Sequence, residues 1–189
     1  MATHLVESIQ KKLGFPPLQK IDPNIQETKD KAPRQAEEKL AQAAIPAVLT
    51  ALYKYTRTDE GCNNILHNID KDWLAAIFEE MEQSAVDKVS HYAGISGELA
   101  KIAMKNIAAE AVITVKKSAG DHPTCEGIRT FMDVQRHNIL VHLPAAMQMG
   151  NLLNDEALDD RTNKMEGPVS GFMHRIENVL SKGDKSKYP

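Results

Sequence analysis

The residues best placed to do chemistry fall in two stretches of the chain. Asn106 and Glu110, four positions apart, lie near Leu99 and Ile113 on the wheel of an Ala-rich helical pattern. A carboxylate on an apolar stripe must find a partner or have its pKa raised, and both situations recur where proteins bind ligands or move protons. Lys117 falls on the same side and is the expected partner, which would make Glu110 half of a partly buried salt bridge or an oligomer contact. His137 and His142 form the second pair and invite a metal reading. Five residues, however, turn a helix about 140° past a full circle, so the two rings diverge; Asp133 is the residue that shares a face with His137. The chain has no His-Glu-x-x-His, no Cys-x-x-Cys and no Glu-x-x-His, the spacings that put metal ligands on one face. Asn106, Glu110, His137 and His142 therefore stand as candidate ligand-binding residues, with no metal, no cofactor and no catalytic residue assigned.

Cys62 directly follows one Glu-Gly pair and Cys125 directly precedes another. A helix N-terminus can activate a thiol, and His122 lies three residues from Cys125, but no neighbouring His and Asn complete a nucleophilic set. Both are expected to be small buried residues at helix starts. Two cysteines are not a disulfide framework, and a reducing, cytoplasmic setting is the expectation. Gly94-Ile95-Ser96-Gly97 follows a helix and is no phosphate loop. The acidic run from Asn154 to Glu166 lacks the ligand spacing and central glycine of a calcium loop.

The elements that must carry these residues are helical. From Leu74 the apolar positions run Ile77, Phe78, Met81, Ala85, Val89 and Tyr92, the three-four spacing of one helix face, and Gly94 follows as a stop. The β-branched run Val112-Ile113-Thr114-Val115 is embedded in helix-prone sequence, and aromatics are only 5% of residues, so strand signals are scarce. A short amphipathic helix (Leu5, Val6, Ile9, Leu13) ends at Gly14. Pro16, Pro17, Pro23 and Pro33 then preclude helix, and residues 14–33 read as an extended arm. Pro46 sits inside a helix-prone stretch from Arg34 and is expected to kink it; Pro144 either starts or kinks another.

A unit recurs along the chain. Glu60-Gly61, Glu126-Gly127 and Glu166-Gly167 are each followed by a short apolar helix pattern, and the first two are preceded by Thr58 and Thr124. Upstream of each lies a small-residue helix pattern, two of them with an aliphatic-Pro-Ala triplet, at Ile45-Pro46-Ala47 and Leu143-Pro144-Ala145. Threonine as a helix cap, with glutamate in the first turn at the positive end of the dipole, explains the motif without chemistry. Spacings of 66 and 40 residues (126 − 60 and 166 − 126) exclude a regular solenoid.

The stretch Ala44 to Leu52, then Thr58-Asp59-Glu60-Gly61-Cys62, resembles the bacterial YidB-like family of domains of unknown function, with its aliphatic-Pro-Ala-aliphatic helix and Thr-Pro-Glu-Gly type turn. Ala85 to Lys117, two helices joined through Gly94-Ile95-Ser96, is similar to the same family's later portion. The resemblance covers about residues 36–134 and departs at Asp59, where the family has proline, and in lacking its Gly-rich stretches. It implies an all-helical fold and brings no activity and no site residue.

The 189 residues carry 23 basic and 26 acidic side chains, a net charge of 23 − 26 = −3. That balance argues against a nucleic-acid partner, and no apolar run reaches the roughly 18 residues of a membrane span. The first residues lack a basic segment followed by an apolar one, so no secretory leader is expected. The expectation is an all-α compact globule of about seven helices with an internally repeated long-helix/short-helix unit. It divides into an N-terminal helix and Pro-rich arm (1–33), a helical domain (34–181) and a basic tail (182–189). The leading function is non-enzymatic: an interaction or scaffold protein with a protein partner or itself. The alternative is a bundle that binds a small ligand or metal through polar residues on an apolar helix face.

Overall fold

The computed structural model describes residues 4–22, 24–28, 35–68 and 71–153. Their elements are, in order, α1 (Leu5–Leu13), β1 (Ile21–Asp22), β2 (Glu27–Thr28), α2 (Ala36–Tyr55), α3 (Asp59–His67), α4 (Trp73–Phe78), a 3₁₀ turn (Glu79–Met81), α5 (Glu82–Ala93), α6 (Gly97–Ser118), α7 (Cys125–Leu140), a second 3₁₀ turn (Ala145–Met147) and α8 (Met149–Leu153). The architecture is all-α, with seven helices of six residues or more and a last one of five among the described residues.

Two helices organise the rest. In α2 every residue from Ala41 to Leu52 is buried, so the helix is covered on all sides rather than amphipathic. Its alanines let α1, α4, α5, α6, α7 and α8 approach it. Helix α6 packs on α2, α5, α1, α4, α7 and α3. Together they bury Ile45, Leu49, Leu52, Met104 and Ile107 to 0% exposure, each burial worth roughly 1.5–3 kcal/mol. Pro46 lies inside α2, and Thr50 Oγ1 donates to its carbonyl at 2.7 Å.

The helix expected from Leu74 to Tyr92 is interrupted. Glu79 adopts φ 52°, ψ −126° at the end of α4, and a 3₁₀ turn separates α4 from α5. The periodic face survives the break, with Leu74, Ile77, Phe78, Ala85 and Val89 all buried, so periodicity alone could not reveal it. The stretch from His142 to Met147, helical in its small-residue pattern, is instead a turn and a 3₁₀ segment, with Pro144 at its N-cap.

The Pro-rich arm is ordered over its described part. Gly14 caps α1 at φ 72°, and Gln10 Nε2 donates to Pro16 O at 2.8 Å. Gln42, buried in α2, accepts from Gln19 N–H and donates to Gln19 O and His142 O. Ile21 N–H donates to Val141 O at 2.8 Å. The arm then turns back through a two-residue antiparallel ladder, Ile21 opposite Thr28 and Asp22 opposite Glu27. That ladder has too few side chains to register as alternation in the sequence.

Candidate functional site

Asn106 and Glu110 lie on α6 as expected, but the stripe they share points outward. Leu99, Ile102 and Ile113 are 58%, 51% and 58% exposed, and Asn106 and Ala109 are exposed beside them. The buried side of α6 is the other one, formed by Ala100, Met104, Ile107, Ala108, Ala111 and Val115. Helix α6 therefore carries two apolar stripes, of which the core uses one. Amphipathic reasoning assigns a single apolar stripe to the interior, and so places the outer one there by mistake.

Glu110 is paired with Lys12 of α1, Nζ to Oε1 2.6 Å, rather than with Lys117. Thr114 Oγ1 lies 3.1 Å from the same carboxylate and 3.0 Å from Lys12 Nζ. Ninety-eight positions separate Lys12 from Glu110, so no local spacing could have named the partner. On the opposite flank of the outer stripe, Lys105 Nζ lies 2.6 Å from Asp72 Oδ2. The hydrogen bond from Lys105 is the main cause holding the Asp72 carboxyl below its ordinary 3.8, and the same bond holds Lys105 above its ordinary 10.5. Asp72 is also the N-cap of α4, accepting from Ala75 N–H at 3.3 Å.

The two histidines lie at the far end of α7 and differ from each other. His137 is exposed. His142 is 7% exposed, its Nδ1 2.7 Å from Asn138 O and its carbonyl accepting from Gln42. It therefore joins the arm, α2 and α7 as a satisfied core residue. The four candidate residues divide between an outer face of α6 and the exit of α7. Among the described residues no group of three or more His, Cys, Asp or Glu side chains is arranged to hold a metal ion.

The first two copies of the Thr-x-Glu-Gly element are helix starts. Gly61 N–H donates to Thr58 Oγ1 at 2.9 Å, and Gly127 N–H to Thr124 Oγ1 at 3.1 Å. Glu60 and Glu126 are exposed in the first turns of α3 and α7. The third copy, at Glu166, and the acidic run after Asn154 lie outside the described residues. Cys62 and Cys125 are not separate thiols but a disulfide, Cα to Cα 5.5 Å. Arg129 reinforces the same junction, donating to Thr56 O at 3.0 Å and pairing with Asp59 at 2.6 Å. Local spacing could not have named this pair, because 63 positions separate the two cysteines and only the packing of α3 against α7 brings them together.

A pocket of about 140 Å³ lies between Lys54, Thr58, Phe78, Glu79, Glu80 and Leu153. Lys54 Nζ donates to Leu153 O across it. Small-molecule sites usually measure about 300–1,000 Å³, so this one is well below the usual size of a ligand site.

No helix among the described residues is long and apolar enough to cross a membrane. No family model, no curated protein and no solved structure matches the chain.

Proposed function

We propose that the protein is a non-enzymatic interaction module whose contact face is the outer side of α6. The observation that carries this reading is the exposure of Leu99, Ile102 and Ile113 in one line on a helix whose other side is fully buried. Single exposed apolar residues are ordinary on soluble proteins; several aligned along a rigid element, here with Asn106 and Ala109 between them, suit a place where another surface docks. The face suits docking further because α6 is held from behind by six other helices, so ordering it on binding costs little.

The test is a double substitution, Leu99→Glu with Ile113→Glu, compared with wild type for self-association and for partners recovered quantitatively from cell extract. Binding by wild type, to itself or to a partner, that the variant no longer shows supports the reading. Identical recovery and identical mass in solution sink it.

The ligand- or metal-binding alternative loses ground because Glu110 already has Lys12 and His142 already has Asn138 as partners. Kinship with YidB-like domains stays a proposal resting on Ile45-Pro46-Ala47 and the Thr58–Cys62 turn. The cytoplasmic setting is opposed by the Cys62–Cys125 bridge, since such bonds persist where thiols are not kept reduced. Alkylation of freshly released protein, counting free thiols by mass, decides between the two.

A further inference from the structure

The spacing of the exposed residues on α6 is more specific than an apolar patch. Leu99, Ile102, Asn106, Ala109 and Ile113 follow one another at intervals of three, four, three and four, the a and d positions of two heptads. In that frame the helix turns its b, c and f side, which a free coiled coil leaves to water, toward its own core: Ala100, Met104, Ile107, Ala108 and Ala111 are buried. The a/d seam is the side left open. Resting on the interaction reading above, we propose that the occupant of this seam is α6 of a second copy of the chain, running parallel, with Asn106 against Asn106 of the other copy.

Three features select that occupant and that direction. A single asparagine at an a position sets register and partner number in parallel two-stranded coiled coils, because its amide finds its best partner in the same amide opposite. Ala109 at the next d position lets the two backbones approach closely beside it. The third feature is charge. In a parallel pair the g edge of one helix meets the e edge of the other one heptad on, which places Lys105 beside Glu110 of the other copy.

Each edge already carries its own counter-ion. Asp72 sits with Lys105, and Lys12 with Glu110, both pairs at 2.6 Å. Bringing the edges together therefore forms two quartets in which every charge faces its opposite. An antiparallel pair would set Lys105 against Lys105 and Glu110 against Glu110, like on like. The seam from Leu99 to Ile113 rises about 21 Å, an interface of the small class that gives reversible, micromolar association.

Sedimentation of the full chain between about 1 and about 100 µM spans that regime. A concentration-dependent monomer–dimer equilibrium is expected. Leu99→Glu with Ile113→Glu weakens it about tenfold or more, with helical circular dichroism unchanged because both positions are exposed. As a check that does not depend on that variant folding, Lys105→Glu and Glu110→Lys are each expected to dimerise poorly alone and to pair when mixed.

Direction is read from thiol cross-linking. Ile113→Cys is expected to cross-link to its own kind on mild oxidation, whereas in the antiparallel register it meets only Ile102→Cys. A wild-type chain that stays monomeric throughout overturns the second copy as occupant. It leaves the broader reading standing if Leu99→Glu with Ile113→Glu still abolishes binding of another partner. A dimer unmoved by that variant overturns the seam as the dimer contact, and the broader reading with it if recovery of other partners is also unchanged; cross-linking only between Ile102→Cys and Ile113→Cys overturns the parallel arrangement.

Discussion

Cys62 and Cys125 stand 63 positions apart in the chain and 5.5 Å apart at Cα, joined as a disulfide at the first turns of α3 and α7. Both residues sit in Thr-capped first turns, after Thr58 and Thr124, so the bond ties the start of α3 to the start of α7. Closing a loop of that length removes chain entropy from the unfolded state, worth about 4 kcal/mol in the loop-entropy account. Reduction, or Cys62→Ala with Cys125→Ala, should lower the denaturant midpoint by an amount corresponding to up to about 4 kcal/mol, and Arg129 should keep α3 and α7 together in the folded state. Urea unfolding with and without reductant measures it. Superimposable curves would show that the bond contributes nothing.

The glycines after Glu60 and Glu126 should respond very differently to alanine. A Cβ on Gly61 would lie 2.1 Å from Tyr55 O, the backbone at the end of α2, whereas one on Gly127 meets nothing nearer than Thr124 Oγ1 at 3.3 Å. Gly61→Ala therefore has to push α3 away from α2 and should cost about 2 kcal/mol or more, in the range of overpacked sites. Gly127→Ala gains helix propensity, up to about 1 kcal/mol, but needs the capping hydroxyl of Thr124 to give by a few tenths of an ångström, so it should cost far less than Gly61→Ala. Thr124→Ala, which removes the cap, should cost about 1 kcal/mol. Thermal unfolding of the three variants tests the set, and equal losses at the two glycines would refute the assignment of different roles.

Asp72 combines a cap and an ion pair, and pH separates them. Its carboxyl is held below 3.8 chiefly by Lys105. The stabilisation is therefore present above that value and is lost as pH falls through the lowered one. Lys105 is held above 10.5 by the same bond, so its share is present below 10.5 and is lost as pH rises through the raised value. The pair should act across the whole range between, with flat stability near neutrality. Asp72→Asn keeps an acceptor for Ala75 N–H and loses the charge; Asp72→Ala loses both. The alanine variant should be the less stable at pH 7 by about 1 kcal/mol, the typical value of an N-cap. The difference between wild type and Asp72→Asn should shrink below about pH 4. Guanidinium unfolding across pH, at protein concentrations too low for association, gives both comparisons.

How much of the molecule is legible in its sequence follows the range of the interactions. Helix starts at Thr58 and Thr124 are legible because a cap acts within three residues, and the periodic faces of α1 and α5 are legible because the core needs them. The partners of Glu110, His142 and Cys62 are not, since Lys12, Gln42 and Cys125 reach them through packing rather than spacing. The outer stripe of α6 misleads for a different reason. Apolar residues at helical spacing mean the core on most helices, and a helix with two such stripes gives no sign of which is open until its neighbours are placed. The break at Glu79 is hidden because the apolar face resumes in phase after it.

Glu79 supplies the last test, because its conformation is one that side chains rarely adopt. At φ 52° and ψ −126° its Cβ crowds the backbone, and such positions cost of order 1–3 kcal/mol. Glycine would relieve that cost while losing about 0.5–1 kcal/mol to the greater freedom of the unfolded chain. Glu79→Gly should thus raise stability by about 1 kcal/mol on balance, whereas Glu79→Ala, which keeps a Cβ, should change it little. If instead both variants are destabilised alike in a thermal-shift series, the carboxylate rather than the backbone is what holds the turn, and strain at this position is excluded.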